Sequence, residues 1–141
     1  MRLAAVLWLC CAPVAAAEFD RTALEDCLRS APDGSSGSEC MVPVRHQCNS
    51  LLEGGTMTQD IACLERAATA LSRWSDEIVA DLPDVGLTGA GIADYRRRLR
   101  GFCLGQMESG SEVHQVAFGL CELAGHAALH RDILRRKAVA E

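Results

Sequence analysis

Two histidines near the C-terminal end have a spacing that suits metal coordination. His126 and His130 are four residues apart, and Glu122 precedes His126 by the same interval. On a helix such residues share one face, and two of them can ligate the same ion. All three together extend over about 12 Å along the axis, too far to close on one ion. We therefore predict an exposed polar ridge, with His126 and His130 as weak metal candidates, and no resident metal or other cofactor.

Six cysteines beyond the first seventeen residues can form disulfides. They are Cys27, Cys40, Cys48, Cys63, Cys103 and Cys121. An even number indicates a disulfide framework in a small exported domain, although six cysteines allow fifteen connectivities. We favour sequential pairing, because each pair would close a short loop between neighbouring helices. A zinc cluster is the alternative, and the lack of a C-x-x-C pair argues against it.

The residue types that commonly catalyse reactions do not form a convincing group in this chain. There is no G-x-S-x-G elbow, and paired cysteines would leave no nucleophilic thiol. Asp76 and Glu77 are adjacent carboxylates, but neighbours on a helix point about 100° apart and cannot flank one glycosidic bond. We therefore predict that the protein is not an enzyme.

Four arginines, Arg96, Arg97, Arg98 and Arg100, form the densest basic cluster. The chain as a whole has a net charge of −5, whereas a nucleic-acid-binding domain is typically basic. We therefore predict no nucleic-acid partner. The arginines are interpreted as a solvated helix face that pairs with acids of the long helix. A contact patch for a protein partner, with Arg96 and Arg100, is the alternative.

Residues 1–17 have the pattern of a signal peptide. Arg2 precedes a short apolar run that ends in three alanines, as signal peptidase requires, and the run is too short to span a bilayer. Lipidation at Cys10 or Cys11 is the less favoured alternative. We predict a single domain over residues 18–141 that is periplasmic or secreted, with no stable membrane insertion after cleavage. Its acidic side chains would favour cationic partners.

Helical patterns dominate the first part of this domain. We predict a first helix over residues 20–30 and a second over 43–54. Thr56 and Gln59 form a capping-box pattern that opens a long third helix, which ends before Pro83. The apolar residues of this helix recur at helical spacing and form one face: Met57, Ile61, Leu64, Ala68, Leu71, Ile78 and Leu82.

Two further helices complete the predicted fold. Residues 83–91 are interpreted as a linker, and a fourth helix is expected over 92–107. Its predicted core residues are Tyr95, Leu99, Phe102 and Cys103. Ser109 or Ser111 can cap a fifth helix. The buried face of that helix is predicted to contain Val113, Ala117, Leu120, Ala124, Ala127 and Leu134. The fold class is therefore all-α, a small disulfide-stapled bundle of about five helices.

The cysteines and their surroundings resemble the LprI-type lysozyme-inhibitor domain of bacterial envelope proteins. The resemblance covers residues 48–134, and its motifs follow the family order: Cys48, Thr58-Gln59, Cys63, Tyr95, Cys103, Ser109-Gly110-Ser111 and Cys121. The chain departs from the family at polar positions, since Tyr95 stands where the family usually has Trp. The resemblance implies a periplasmic or surface protein that binds lysozyme without catalysing a reaction.

The leading hypothesis is accordingly a non-enzymatic protein-binding domain with a cationic lysozyme as its candidate partner. Steering of a cationic protein toward an acidic one makes this physically reasonable. The candidate contact loops are the turn with Glu108, Ser109 and Ser111, and residues 86–91. The alternatives are a structural or assembly factor of the envelope that uses the arginines, and a metal-binding module.

Overall fold

A computed structural model describes residues 19–32, 37–82, 86–105 and 110–141. These residues form five α-helices and two short 3-10 segments, and contain no strand. The helices are α1 Arg21–Ser30, α2 Val42–Gln47, α3 Met57–Asp81, α4 Gly89–Gly105 and α5 Glu112–Ala140. The all-α prediction is confirmed. The predicted signal peptide and the side chains of Glu108 and Ser109 lie outside the described residues.

Side-chain caps define where three of the helices begin. The Asp20 carboxylate accepts the backbone N–H of Ala23 at 3.0 Å at the start of α1. Thr56 and Gln59 form both hydrogen bonds of the predicted capping box at the start of α3. The Thr88 hydroxyl accepts the N–H of Gly91 at 3.0 Å. This cap starts α4 at Gly89, so the last residues of the predicted linker belong to the helix.

The predicted second helix is interrupted. Of the residues predicted for it, 43–47 belong to α2, and 50–53 form a 3-10 segment, Ser50–Glu53. The other 3-10 segment, Ser38–Met41, precedes α2. The break follows from the buried carboxylate of Asp60, which accepts hydrogen bonds from the backbone N–H and the hydroxyl of Ser50 at 2.7 and 2.6 Å. An N–H that is held by a side chain cannot continue the helical ladder.

Helices α3 and α5 form the main packing interface and run parallel to each other. Thr58 lies against Glu112, Leu64 against Gly119 and Ser75 against His130, so the contacts advance in step along both helices. The predicted α3 face supplies much of the core, with Leu64, Ala68, Leu71 and Ile78 buried. Within the described ranges, no helix carries an apolar stretch long enough to cross a membrane.

All three disulfides follow the favoured sequential pairing. Cys27–Cys40, Cys48–Cys63 and Cys103–Cys121 have sulfur–sulfur distances of 2.02, 2.06 and 2.08 Å. The first ties α1 to the 3-10 segment after it, the second ties the end of α2 to α3, and the third joins α4 to α5. Bonds of this kind are typical of proteins in oxidising compartments.

Two predicted core faces need correction. The disulfide from Cys103 to Cys121 directs the Cys103 side of α4 toward α5. Phe102 lies on a different side of α4 and is 64% exposed. On α5, Val113 is 60% exposed and Ala117 is exposed, whereas His130 and Arg131 are buried. The reason is that α5 contacts α1, α3 and α4 on different sides, so a single apolar stripe does not describe its buried surface.

Candidate functional site

The four arginines of α4 have different surroundings. Arg96 forms two contacts with the Asp76 carboxylate of α3, at 2.9 and 3.2 Å, and donates to the carbonyl of Ser72 at 2.9 Å. Arg97 and Arg98 pair with Asp94 on their own helix. The predicted pairing with acids of the long helix therefore holds for Arg96 and not for its two neighbours.

Arg100 points toward α5 instead. Its Nη1 lies 3.7 Å from Oε1 of Glu122, which is too long for a hydrogen bond. Its guanidinium carbon lies 5.5 Å from the centre of the Phe118 ring, within range of a cation–π contact. The side chain remains 64% exposed. Arg100 is thus held more loosely than Arg96.

Arg96 and Arg100 line a cleft between α3 and α4, and α5 forms its floor. The cleft has a volume of about 620 Å³, within the usual range for ligand sites. Phe118, Glu122 and His126 lie along the floor at intervals of four residues. The α3 wall contributes carboxylates and a hydroxyl-bearing side chain: Glu65, Thr69 and Asp76. The cleft can therefore offer both cations and hydrogen-bond acceptors to a ligand.

The floor of the cleft corrects the prediction of an exposed polar ridge. His126 is only partly exposed, and its Nδ1 is buried without a hydrogen-bond partner. Burial lowers the pKa of His126 to about 4, and the nearby Arg96 adds to this effect. Burial also raises the pKa of Glu122, against the opposing charge of Arg100. At neutral pH the imidazole is therefore neutral.

His130, the other predicted metal candidate, is fully buried. Its Nδ1 lies 2.9 Å from the Ser75 hydroxyl of α3, and its Nε2 lies 3.1 Å from Glu25 Oε1 of α1. Burial lowers the pKa of His130, and the hydrogen bond to Glu25 opposes that shift. We assign Nε2–H as the donor to the Glu25 carboxylate. The one proton of the Ser75 hydroxyl is shared between Nδ1 of His130 and the Leu71 carbonyl, each 2.9 Å away.

Two arginines of α1 also contact the Glu25 carboxylate. Arg21 and Arg29 contact its two oxygens at 2.8 and 2.9 Å. Burial alone would raise the pKa of Glu25, but the hydrogen bonds from Arg21 and His130 hold it below its usual value. Glu25 therefore stays ionised at neutral pH and anchors α1 on α5.

Ser75, His130 and Glu25 have the residue types of a hydrolase triad, but their burial gives them another role. Ser75 is 1% exposed and His130 is not exposed, so a substrate has no access to the hydroxyl. The three residues instead join α3, α5 and α1. Among the described residues, no three His, Cys, Asp or Glu side chains are placed to hold one metal ion.

The turn before α5 is described only from Gly110 onward. Ser111 occupies the N-cap position of α5 and is exposed, but its side chain accepts no capping hydrogen bond. Its hydroxyl instead lies 2.7 Å from His114 Nδ1. Ser111 therefore lies at the start of α5, away from Arg96 on the middle of α4, and these predicted contact residues do not form one site.

A second concave surface was not predicted from the sequence. It is an apolar groove of about 290 Å³ between the second 3-10 segment, the start of α3 and the start of α5. Its apolar side chains include Leu51, Met57, Leu64, Val113, Val116 and Leu120. A sequence signal exists in Leu51-Leu52, an apolar pair just before a glycine turn, where exposure is the expected outcome.

The chain matches no protein-family model, no curated protein and no solved structure. The resemblance to lysozyme-inhibitor domains therefore remains a prediction, and functional assignment depends on the geometry of the two concave surfaces.

Proposed function

We propose that this protein is an exported, non-enzymatic protein-binding domain and that its partner is a cationic protein, with lysozyme as the candidate that the family resemblance implies. The observation that carries the proposal is the apolar groove at the start of α3 and α5. The three disulfides support export, since such bonds are typical of oxidising compartments.

The groove has the composition of a protein-contact surface. Leu51 is 49% exposed, Leu52 is 72% exposed and Val113 is 60% exposed, all close to one end of the bundle. When a partner covers large apolar side chains that were exposed to water, the free energy falls by about 25 cal/mol for each Å² of apolar surface buried. Clusters of this kind mark interaction sites more often than single exposed residues do.

Charge favours a cationic partner for this surface. Arg2 is the one charged residue before Glu18, so residues 18–141 carry 19 acidic and 13 basic side chains, a net of −6. The groove lining itself contains one cation, Arg45, and one carboxylate, Asp60. Two exposed carboxylates lie close to it in the chain, Glu112 beside Val113 and Glu53 two residues after Leu51. A cationic protein would be steered toward such a surface, and the rate of encounter would fall with added salt.

Gly110 and Ser111 adjoin the same groove. Both are exposed and directly precede Glu112 and Val113. The Thr58 hydroxyl donates to Glu112 at 3.0 Å, which fixes the start of α5 against α3. Residues next to a fixed helix start lose little conformational entropy when they are bound, so Ser111 suits a role at the rim of the contact.

Direct binding measurements test the proposal. Immobilised mature protein, oxidised, is titrated with a cationic lysozyme at several salt concentrations. We expect saturable binding with an association rate that decreases as salt increases. Val113→Lys should weaken binding at least tenfold by placing an ammonium in the groove. The matched control is Val139→Lys, at an exposed valine near the other end of α5, which should bind like the wild type apart from a small charge effect. Equal affinities of the two variants would contradict the assignment of the groove.

A second candidate function is a structural or assembly factor of the envelope. The observation that favours it is the outer face of α4, where Arg97 and Arg98 are exposed together with Phe102. Recovery of one envelope protein by the wild type, and its loss with Arg97→Ala and Phe102→Ala together, would support this candidate over the first.

A further inference from the structure

We propose that the cleft between α3 and α4 binds an arginine side chain of the cationic partner, with Phe118 and Glu122 as its receptor, and that the partner's guanidinium displaces Arg100. The cationic nature of the partner rests on the proposed function. The receptor residues and the displacement rest on the geometry of the cleft, which is separate from the apolar groove.

The floor of the cleft has two features that guanidinium recognition requires. Phe118 offers an aromatic face and Glu122 offers a carboxylate. They are four residues apart on α5, so they are neighbours on one face of the helix. A guanidinium is planar, stacks on aromatic rings and donates in a fork, which an ammonium cannot do.

Arg100 shows that a guanidinium fits this position. Its guanidinium carbon is 5.5 Å from the Phe118 ring centre, and its Nη1 is 3.7 Å from Glu122. Neither contact is tight, and the side chain is 64% exposed. Arg96 in the same cleft is different, because Asp76 and the Ser72 carbonyl hold it directly. An incoming arginine would therefore displace Arg100 and leave Arg96 in place.

Glu122 gains the most from a better donor. Among the described residues, no hydrogen-bond donor reaches the Glu122 carboxylate, although its side chain is only 17% exposed. Burial raises the pKa of Glu122, and the charge of Glu65 across the cleft adds to the shift. A partly buried carboxylate without a donor costs free energy, and a charge-assisted hydrogen bond recovers it. His126 lies one turn further along α5 and its unpartnered Nδ1 is closed to solvent, so the ligand contacts Glu122 and not this nitrogen.

The test is an NMR titration of the whole oxidised protein with N-acetyl-arginine methylamide, and in parallel with the lysine analogue. We expect saturable shifts of the Phe118 and Glu122 signals with the arginine probe, and weaker ones with the lysine probe. Arg100→Ala should bind the arginine probe about 3- to 10-fold more tightly, because an internal competitor of cation–π strength is gone. The matched control is Arg98→Ala, which removes the same charge from an exposed position on the same helix. Binding by Arg100→Ala no tighter than by Arg98→Ala would overturn the proposal, as would equal affinity for the two probes.

Glu122→Gln separates this inference from the proposed function. The amide keeps the size of the side chain but loses its charge, so the arginine probe should lose most of its affinity and lysozyme should bind more weakly. If Glu122→Gln binds lysozyme and the probe like the wild type, while Val113→Lys does not bind lysozyme, the cleft inference fails and the proposed function stands. If lysozyme does not bind any form, while Arg100→Ala still prefers the arginine probe, the proposed function fails and the cleft assignment stands.

Discussion

The imidazole Nε2 of His130 lies 3.1 Å from Oε1 of Glu25, and this contact joins α5 to α1 through two residues that are 105 positions apart in the chain. The other ring nitrogen of His130 faces Ser75 on a third helix. Buried polar networks of this kind are costly to break, because each group that loses its partner stays away from water. The contact therefore determines how α1 docks onto the bundle.

Removal of the Glu25 carboxylate should destabilise the fold. Glu25→Ala leaves the buried Nε2 of His130 without its acceptor, while Arg21 and Arg29 keep their exposed partners Glu77 and Asp26. We expect the free energy of unfolding to fall by about 2–3 kcal/mol. Urea unfolding followed by circular dichroism measures the change. Asp26→Ala is the matched control, since its exposed carboxylate contacts only Arg29, and a loss of about 0.5 kcal/mol or less is expected. Equal losses for both variants would show that the buried network is not stabilising.

A glycine on α5 is required where α4 packs closely. A Cβ atom at Gly125 would lie 2.2 Å from Leu99 Cδ1, and the Gly125 carbonyl accepts the Tyr95 hydroxyl at 3.0 Å. Gly125→Ala should therefore lower the free energy of unfolding by about 1–3 kcal/mol through overpacking. Gly101→Ala on the exposed face of α4 meets open space, and we expect it to stabilise the helix by about 0.5–1 kcal/mol. Thermal unfolding of both variants tests the pair. A Gly125→Ala protein as stable as Gly101→Ala would contradict the close packing.

Local patterns in the sequence predicted most of the fold. Capping residues and apolar spacing predicted α1 and α3, and short intervals between cysteines predicted the disulfide pairing. These signals depend on residues close together in the chain. The break at Ser50 depends instead on Asp60, a side chain from the next helix that competes for a backbone N–H. Helix propensity over a short stretch of sequence does not take that competition into account.

The site was harder to predict for the same reason. His126 and His130 were expected on an exposed ridge, because polar residues usually face water. Both are buried to a large extent because α5 is surrounded by other helices and because partners on those helices satisfy His130. The α3–α4 cleft also has no sequence signature, since it arises from where α4 crosses α5 at Gly125. The sequence shows the interval between the two histidines, but it does not show which side chains surround them.

Acid should weaken the fold in a defined pH range. The pKa of His126 is about 4 in the folded protein and close to 6.5 in the unfolded chain, so between these values the unfolded state binds a proton that the folded state does not. The contribution of His126 to stability should therefore be constant above pH 7 and fall as the pH decreases from 6.5 toward 4. The contribution of His126 is at most about 3 kcal/mol, and solvent screening reduces it.

The pH dependence is measured by urea unfolding at a series of pH values, with His126→Gln as the comparison. The variant should have a shallower decrease between pH 6.5 and 4, while the further loss below this range remains. That further loss arises from Glu25, whose lowered pKa makes it stabilising until it is protonated in stronger acid. Identical pH profiles for the wild type and His126→Gln would contradict the assignment of the decrease to His126.

The Cys103–Cys121 disulfide should stabilise the attachment of α4. It closes a loop of 18 residues, and α4 otherwise contacts the bundle mainly through α5. Replacement of both cysteines by serine should lower the free energy of unfolding by about 3 kcal/mol. Hydrogen exchange should show the largest loss of protection in α4, with less change in α3. An equal loss of protection from hydrogen exchange in all helices would indicate that α4 is not a separate, weakly attached unit.

Lysis of a peptidoglycan suspension by a cationic lysozyme, with and without the oxidised protein, tests the proposed function most directly. We predict dose-dependent protection, which is lost after reduction of the three disulfides and is weakened by Val113→Lys but not by Val139→Lys. Absence of protection at a large molar excess, against several lysozymes, would contradict the proposal that lysozyme is the partner.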